Sequence, residues 1–308
     1  MGLLSEFRNP TRWYSKVVAA LLVLAFCFLV VAGLTAGYVL YNIVRVLPAG
    51  SNDAVGLASF PGHPENIVFE VEGVGMREGW FFPGLKLAPT IVLCPGYQVN
   101  RGELLPLATA LQDHQYNVFL FGFDNYGSSA GSSTLGFREV RELRAAISML
   151  ARRVDVDRSR FGLWGANMGG YAALAAAESD PRVRALVVES VYDHPQEMVR
   201  IVAARNGLAS LSVIRRLTEK GFYYLNYRSR ETPPLSARLT ALAGVSKLFL
   251  ATADEPELID ATRRLFTLAP EPKEEAMLSR GNYAGMLGDE KQNYENRMVS
   301  FFLLNFPP

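Results

Sequence analysis

The segment Arg160-Phe-Gly-Leu-Trp-Gly-Ala-Asn-Met-Gly-Gly-Tyr171 constrains the fold of this chain more than any other. A short apolar run reaches a glycine-flanked turn, and a helix of small residues follows to Glu178. Glycines beside a sharp strand-to-helix turn let neighbouring backbone approach closely, and the residue between them is lifted above the sheet edge. Here that residue is Asn167, in the place that a G-x-S-x-G turn gives to serine. A carboxamide has no ionisable oxygen, so the turn predicts an enzyme-like architecture around a side chain that cannot attack.

The remainder of the soluble part alternates strands and helices. Residues 66–72 and 79–82 read as short opening strands, and Pro89-Thr-Ile-Val-Leu-Cys94 as a buried apolar strand. A helix over 103–114, a strand over 116–123 and a helix over 137–153 follow, the last with Val140, Leu143, Ala146, Ile147 and Leu150 on one face. Strands at 161–164, 183–191, 247–251 and near 275–278, with helices at 256–268 and 293–304, complete the pattern. Such alternation predicts an α/β protein with an open, mostly parallel sheet and helices on both faces.

From Val17 to Val44 the chain carries no charge. About 20 apolar residues suffice to cross a bilayer, whereas a signal-peptide core runs to about 7–15. The expected organisation is an N-terminal segment over 1–16, a transmembrane helix over 17–44, a linker over 45–64 rich in Pro, Gly, Ser and Ala, and a domain over 65–308. Trp13 and Tyr14 at one end and Tyr38 and Tyr41 at the other suit the two interfacial belts. Arg8, Arg12 and Lys16 precede the span and Arg45 follows it, which places the N-terminus in the cytoplasm and the large domain outside. Gly33 and Gly37 form a G-x-x-x-G, either a face for packing against another membrane helix or the ordinary abundance of small residues in such spans.

Charge excludes one class of partner, since 31 Lys plus Arg balance 30 Asp plus Glu and nucleic acid is not expected. The two cysteines, Cys27 in the apolar span and Cys94 at a strand end, offer neither a disulfide nor metal-ligand spacing. No cofactor and no metal are expected.

Four motifs carry a resemblance. Cys94-Pro-Gly-Tyr97 follows the third strand, Gly122-Phe-Asp-Asn-Tyr-Gly-Ser-Ser-Ala-Gly131 is a polar glycine loop, Thr134-Leu-Gly-Phe-Arg-Glu-Val140 opens a helix, and Gly165-Ala-Asn-Met-Gly169 is the turn. In this order they resemble the α/β-hydrolase superfamily, particularly bacterial members similar to serine aminopeptidases and dienelactone hydrolases. The resemblance implies an α/β-hydrolase domain over about 79–308, with a lid insertion at about 195–240. It also implies a triad in the order Ser, Asp or Glu, His. The serine position is Asn167, the acid position is Asp254 with Glu255 beside it, and the histidine position falls on Asn282 or Tyr283; no histidine follows His194.

Replacements are scarce. His194 follows a strand at the ligand-binding edge and is either a substitute base or a loop histidine. His63 and His114 lie away from that edge. Asp254 is either the surviving acid or the cap of the helix that begins near Pro256. Cys94 points into the sheet, and Ser128, Ser129, Ser132 and Ser133 belong to a polar loop. The backbone amides of Tyr97 and Met168 would still form an oxyanion-type notch beside Asn167. The lid holds eight Lys or Arg against three Glu, with Phe222-Tyr-Tyr-Leu-Asn-Tyr227, and is either a surface for an acidic partner or lipid headgroups, or a solvated cap. Three functions follow. The first is a non-catalytic accessory or scaffold subunit of a membrane protein complex, partnered through the transmembrane helix or the basic lid. The second is an unconventional esterase or peptidase at the membrane surface, and the third a ligand-binding sensor that uses the old pocket.

Overall fold

The computed structural model describes residues 13–45, 64–123, 132–229, 231–281 and 283–308. Outside them lie Arg8, Arg12, most of the 45–64 linker with His63, the loop containing Ser128 and Ser129, and Asn282. The chain divides into two compact units, one of α1 with residues 199–227, the other of Val44–Met198 with Arg228–Pro308.

In the first unit, α1 (Trp13–Val44) is 32 residues of mean hydropathy high enough to cross a membrane by length and composition. It begins before Val17 because Trp13, Tyr14 and Lys16 extend the same helix. Ala32, Ala36, Val39, Leu40 and Ile43 form its buried stripe, at helical spacing. Leu21, Val23, Phe26 and Leu29 are exposed. Most of the lid belongs to this unit. After α5 (Pro195–Arg205), which reaches it from the other unit, α6 (Ser212–Leu225) buries Ile214, Thr218 and Phe222.

The second unit holds an eight-stranded sheet in the order β1-β2-β4-β3-β5-β6-β7-β8. Its strands are β1 (Glu65–Val71), β2 (Gly75–Phe82), β3 (Thr90–Cys94), β4 (Asn117–Phe121), β5 (Phe161–Ala166), β6 (Val183–Glu189), β7 (Ser246–Thr252) and β8 (Lys273–Leu278). The helices are α2 (Leu105–Asp113), α3 (Phe137–Leu150), α4 (Met168–Ala177), α7 (Pro256–Leu268) and α8 (Gly288–Asn305). Every residue of β3, β4 and β5 is buried, as expected for strands covered on both faces, and all pairings from β4 to β8 are parallel.

Two elements of this unit begin four or five residues before their patterning suggests. β2 begins at Gly75 rather than residue 79, because β1 and β2 form an antiparallel hairpin turned at Gly73, where φ is 68°. Met76-Arg77-Glu78 hides this strand, since Arg77 is buried through an ion pair with Glu142 at 3.1 Å. Likewise α8 begins at Gly288 rather than residue 293, with Asp289 and Glu290 in its first turn, where the helix dipole favours anions.

The loop into α3 is held by one buried carboxylate. Glu139 accepts from Ser133 Oγ at 2.8 Å, Thr134 N at 3.1 Å, Thr134 Oγ1 at 2.6 Å and Gly136 N at 2.8 Å. Ser133 thus braces this loop, its Oγ also accepting from Leu135 N at 3.0 Å.

The site is positioned by the order β4-β3-β5. The chain leaves β3 for β4 on one side and then crosses to β5 on the other, which opens a crevice at the carboxyl ends of these strands. Close packing of β3, β5 and α4 at that point leaves no room for side chains. A Cβ on Gly169 would lie 2.1 Å from Cys94 O, and one on Gly165 2.4 Å from Gly169 C. Gly169→Ala is therefore expected to destabilise the chain by at least about 2 kcal/mol, read as a fall in the chemical-denaturation midpoint at unchanged slope.

Candidate functional site

Asn167 joins β5 to α4 with φ 44° and ψ −107°, a conformation that L residues rarely hold. Its amide donates to Glu189 O at 2.8 Å and its carbonyl accepts from Tyr171 N at 2.9 Å, so backbone bonds on both sides hold the strained residue in place. The carboxamide makes no capping bond to α4. Its Oδ1 faces the turn after β3, where a Cβ on Gly96 would lie 3.5 Å away.

A cavity of about 250 Å³ opens over Asn167. Around it stand Gly96, Tyr97, Gln98 and Val99 from the turn after β3, and Trp164, Ala166 and Asn167 from β5 and its turn. Leu104, Glu189, Glu255 and Tyr283 complete the lining. Tyr97 lines the same cavity as Asn167, its phenol pushed up to about 12 by burial against the opposing charge of Arg45. Met168 follows Asn167 directly, and its sulfur lies 3.3 Å from the Ser133 Oγ that donates to Glu139.

The most buried polar group in the lining is Glu189, at 1% exposure, which ends β6 in register with Ala166. Tyr294 of α8 donates to Glu189 Oε2 at 2.5 Å and accepts from Trp164 Nε1 at 2.9 Å. Burial and the adjacent carboxylate push the Tyr294 phenol well above its ordinary value, so it remains a donor. Sequence reading missed Glu189, Trp164 and Tyr294. The available signal was a charged residue ending the apolar run Val183-Arg-Ala-Leu-Val-Val-Glu189 at the same sheet edge as Asn167. Tyr294 carried no such signal, because α8 lies over a hundred positions away.

The positions assigned to acid and base have other partners. Asp254 does not line the cavity; its Oδ1 accepts from Gly281 N at 2.7 Å and fixes the loop after β8. The N-cap of α7 is Glu255, which makes no side-chain cap bond. Of the two residues considered for the histidine position, Asn282 lies outside the described residues, and Tyr283 lines the cavity while donating to Glu295. Burial and Glu295 keep that phenol protonated.

His194 is not among the cavity-lining residues. Its Nδ1 accepts from Gln196 N at 3.3 Å, its ring packs edge-on to Phe137 at 5.3 Å, and burial holds it below the usual histidine value. Cys94 is buried and burial raises its thiol far above the usual range, which leaves it unreactive. Among the described residues no group of three His, Cys, Asp or Glu could hold a metal. Gly33 and Gly37 have open space around an added Cβ.

Strain at Asn167 has a measurable consequence. Glycine tolerates positive φ, whereas a held outlier costs on the order of 1–3 kcal/mol. Asn167→Gly is expected to raise stability by about 1 kcal/mol net of chain entropy, read by denaturant titration; a loss would mean that carboxamide contacts outweigh the strain.

No protein-family model matches the chain. It is 24% identical over 302 residues to the uncharacterized protein YfhR of Escherichia coli O157:H7, covering 95% of this chain and 96% of that protein. An α/β hydrolase of Penicillium sp. superposes with a TM-score of 0.60 at 19% identity, covering 79% of this chain and 98% of that one. An esterase of Pyrococcus furiosus does so with 0.62 at 17% identity, covering 86% and 98%.

Proposed function

We propose that this chain, which has the α/β-hydrolase fold, is a membrane-anchored binding protein that uses the hydrolase pocket to hold a small ligand without cleaving it. One observation carries the reading: Asn167 occupies the elbow, and the described residues around it include no serine, cysteine, histidine or lysine. Acyl transfer through a covalent intermediate needs a nucleophile and a base within hydrogen-bond reach. What remains are hydrogen-bonding groups on Asn167, Gln98, Tyr97 and Glu189, between the aromatic walls of Trp164 and Tyr283. Two carboxylates in the lining favour a ligand that donates hydrogen bonds or carries positive charge.

The length and apolarity of α1 support the anchor. The excess of Arg8, Arg12 and Lys16 over Arg45 supports a cytoplasmic N-terminus, with the large unit outside. Open helix surface at Gly33 and Gly37 is compatible with a second membrane helix, and hence with service as an accessory subunit of a membrane complex.

A second reading rests on Glu189 and Glu255 in the same cavity, where a carboxylate could activate water against an ester or amide. Turnover of short acyl esters and amides by the full chain in detergent separates the two. On the binding reading the wild type is inert, and Asn167→Ser gains neither turnover nor labelling by a fluorophosphonate, because no imidazole stands beside the new hydroxyl. Wild-type turnover abolished by Glu189→Gln would overturn it. A thermal-shift panel of small amines and amides is the positive test. A ligand at a hundredfold excess over its Kd adds about 2.7 kcal/mol of stability, and Glu255→Gln should weaken the response.

A further inference from the structure

α1 is longer than a bilayer requires, and its surroundings change partway along it. Its 32 residues rise about 48 Å, against a hydrocarbon core of about 30 Å. No residue of 13–31 is buried, whereas Ala32, Ala36, Val39, Leu40, Ile43 and Val44 are. The buried part is where the lid helix touches α1. Thr218 Oγ1 of α6 lies 3.4 Å from Ala36 O, and a Cβ on Gly221 would come within 2.8 Å of Leu40 Cδ2.

Those two contacts fix charged groups at a known level of α1. Glu219 and Lys220 stand between Thr218 and Gly221, and Arg215 and Arg216 lie within the turn before them. Arg216 and Lys220 are exposed, and Glu219 pairs with Arg200 at 3.5 Å. If hydrocarbon reached Val44, about 12 Å of it would lie beyond Ala36, and these groups would be held inside it. Long lysine and arginine stems can carry their charge toward an interface, but the shorter glutamate cannot, and charge inside hydrocarbon is costly.

The end of α1 gives the same answer independently. Val44 O accepts from Ser133 N at 2.8 Å, and Arg45 forms an antiparallel bridge with Ser132. The backbone thus passes from the helix straight into pairing with the loop before α3. A headgroup layer is about 5–7 Å deep, and hydrocarbon ending at Val44 would leave no residues to cross it.

We propose that the lipid-contacting surface of this chain is α1 over residues 13–31, and that residues 32–44 stand in water as a stalk on which the lid helix is seated. Residues 13–31 rise about 28 Å, close to the thickness of a hydrocarbon core, and Lys16 is near enough to the end to reach the interface. The inference rests on the reading of α1 as a membrane anchor and adds where the lipid stops. Tyr38 and Tyr41 then stand above the interfacial belt, and a partner helix meeting Gly33 and Gly37 would do so outside the hydrocarbon.

The test uses the full chain in lipid nanodiscs, with a solvent-sensitive fluorophore on one cysteine at a time. The positions are the native Cys27, which is exposed, and Tyr38→Cys or Tyr41→Cys in a Cys27→Ser background; Cys94 is buried and escapes labelling. Tyr38 and Tyr41 are exposed at 58% and 63%, so their replacement removes little packing. The Cys27 label is expected to be quenched by bromine on the lipid tails. The Tyr38 and Tyr41 labels should be insensitive to bromine and quenched several-fold more strongly than Cys27 by aqueous acrylamide. Bromine quenching of either tyrosine-position label, beside a lipid-quenched Cys27 label, overturns the boundary and leaves the anchor standing. A Cys27 label open to acrylamide and untouched by bromine overturns the anchor, and the boundary with it.

Discussion

The contact between Gly169 and the backbone of Cys94 is the constraint on which the rest of the site depends. With no Cβ at Gly165 or Gly169, the first turn of α4 sits against the ends of β3 and β5 at a separation no other residue would permit. That separation forces the chain to reverse within one residue, which is why Asn167 is held at φ 44°. It also brings the turn at Gly96 against the carboxamide. The strain at Asn167 and the placement of its side chain at the cavity are consequences of one packing contact. They do not depend on whether the lifted residue can react.

A different interaction shapes the cavity floor. Glu189, Tyr294 and Trp164 form a buried chain of hydrogen bonds between two adjacent parallel strands and the last helix. A carboxylate at 1% exposure is tolerable only with donors around it, and Tyr294 supplies one. On another wall, Tyr283 directs its hydroxyl to Glu295. Asp254 holds the adjoining loop at Gly281. Glu189, Tyr294, Tyr283 and Asp254 thus all have hydrogen bonds that brace the cavity and its adjoining loop.

Much of the fold was legible because it is local. Apolar runs such as Thr90–Cys94 and Phe161–Ala166, and the small-residue helix after Asn167, carry their own periodicity. The hairpin strand from Gly75 was hidden because Arg77 is buried by pairing with Glu142, a residue of α3 that local pattern cannot supply. The start of α8 was hidden by polar residues whose helicity depends on the helix dipole and on packing of its later half. Around the cavity, Asn167 and Tyr97 could be singled out from motif spacing because each lies in a short turn that follows a strand. Glu189 and Tyr294 were not, since a mid-chain glutamate and a late tyrosine acquire meaning only through a bond 105 positions long.

By itself the sequence determined that this chain carries one helix apolar enough to cross a membrane, a mostly parallel α/β sheet, and an elbow whose raised residue is an asparagine. These follow from hydropathy, periodicity and glycine spacing, which act over neighbouring residues. Only the tertiary structure decided which side chains share the cavity with Asn167, that His194 is not among them, and that Thr218 and Gly221 of the lid helix meet Ala36 and Leu40 of α1. Those depend on strand order and helix packing, where the free energy comes from contacts between segments far apart in the chain, and no local pattern encodes such contacts.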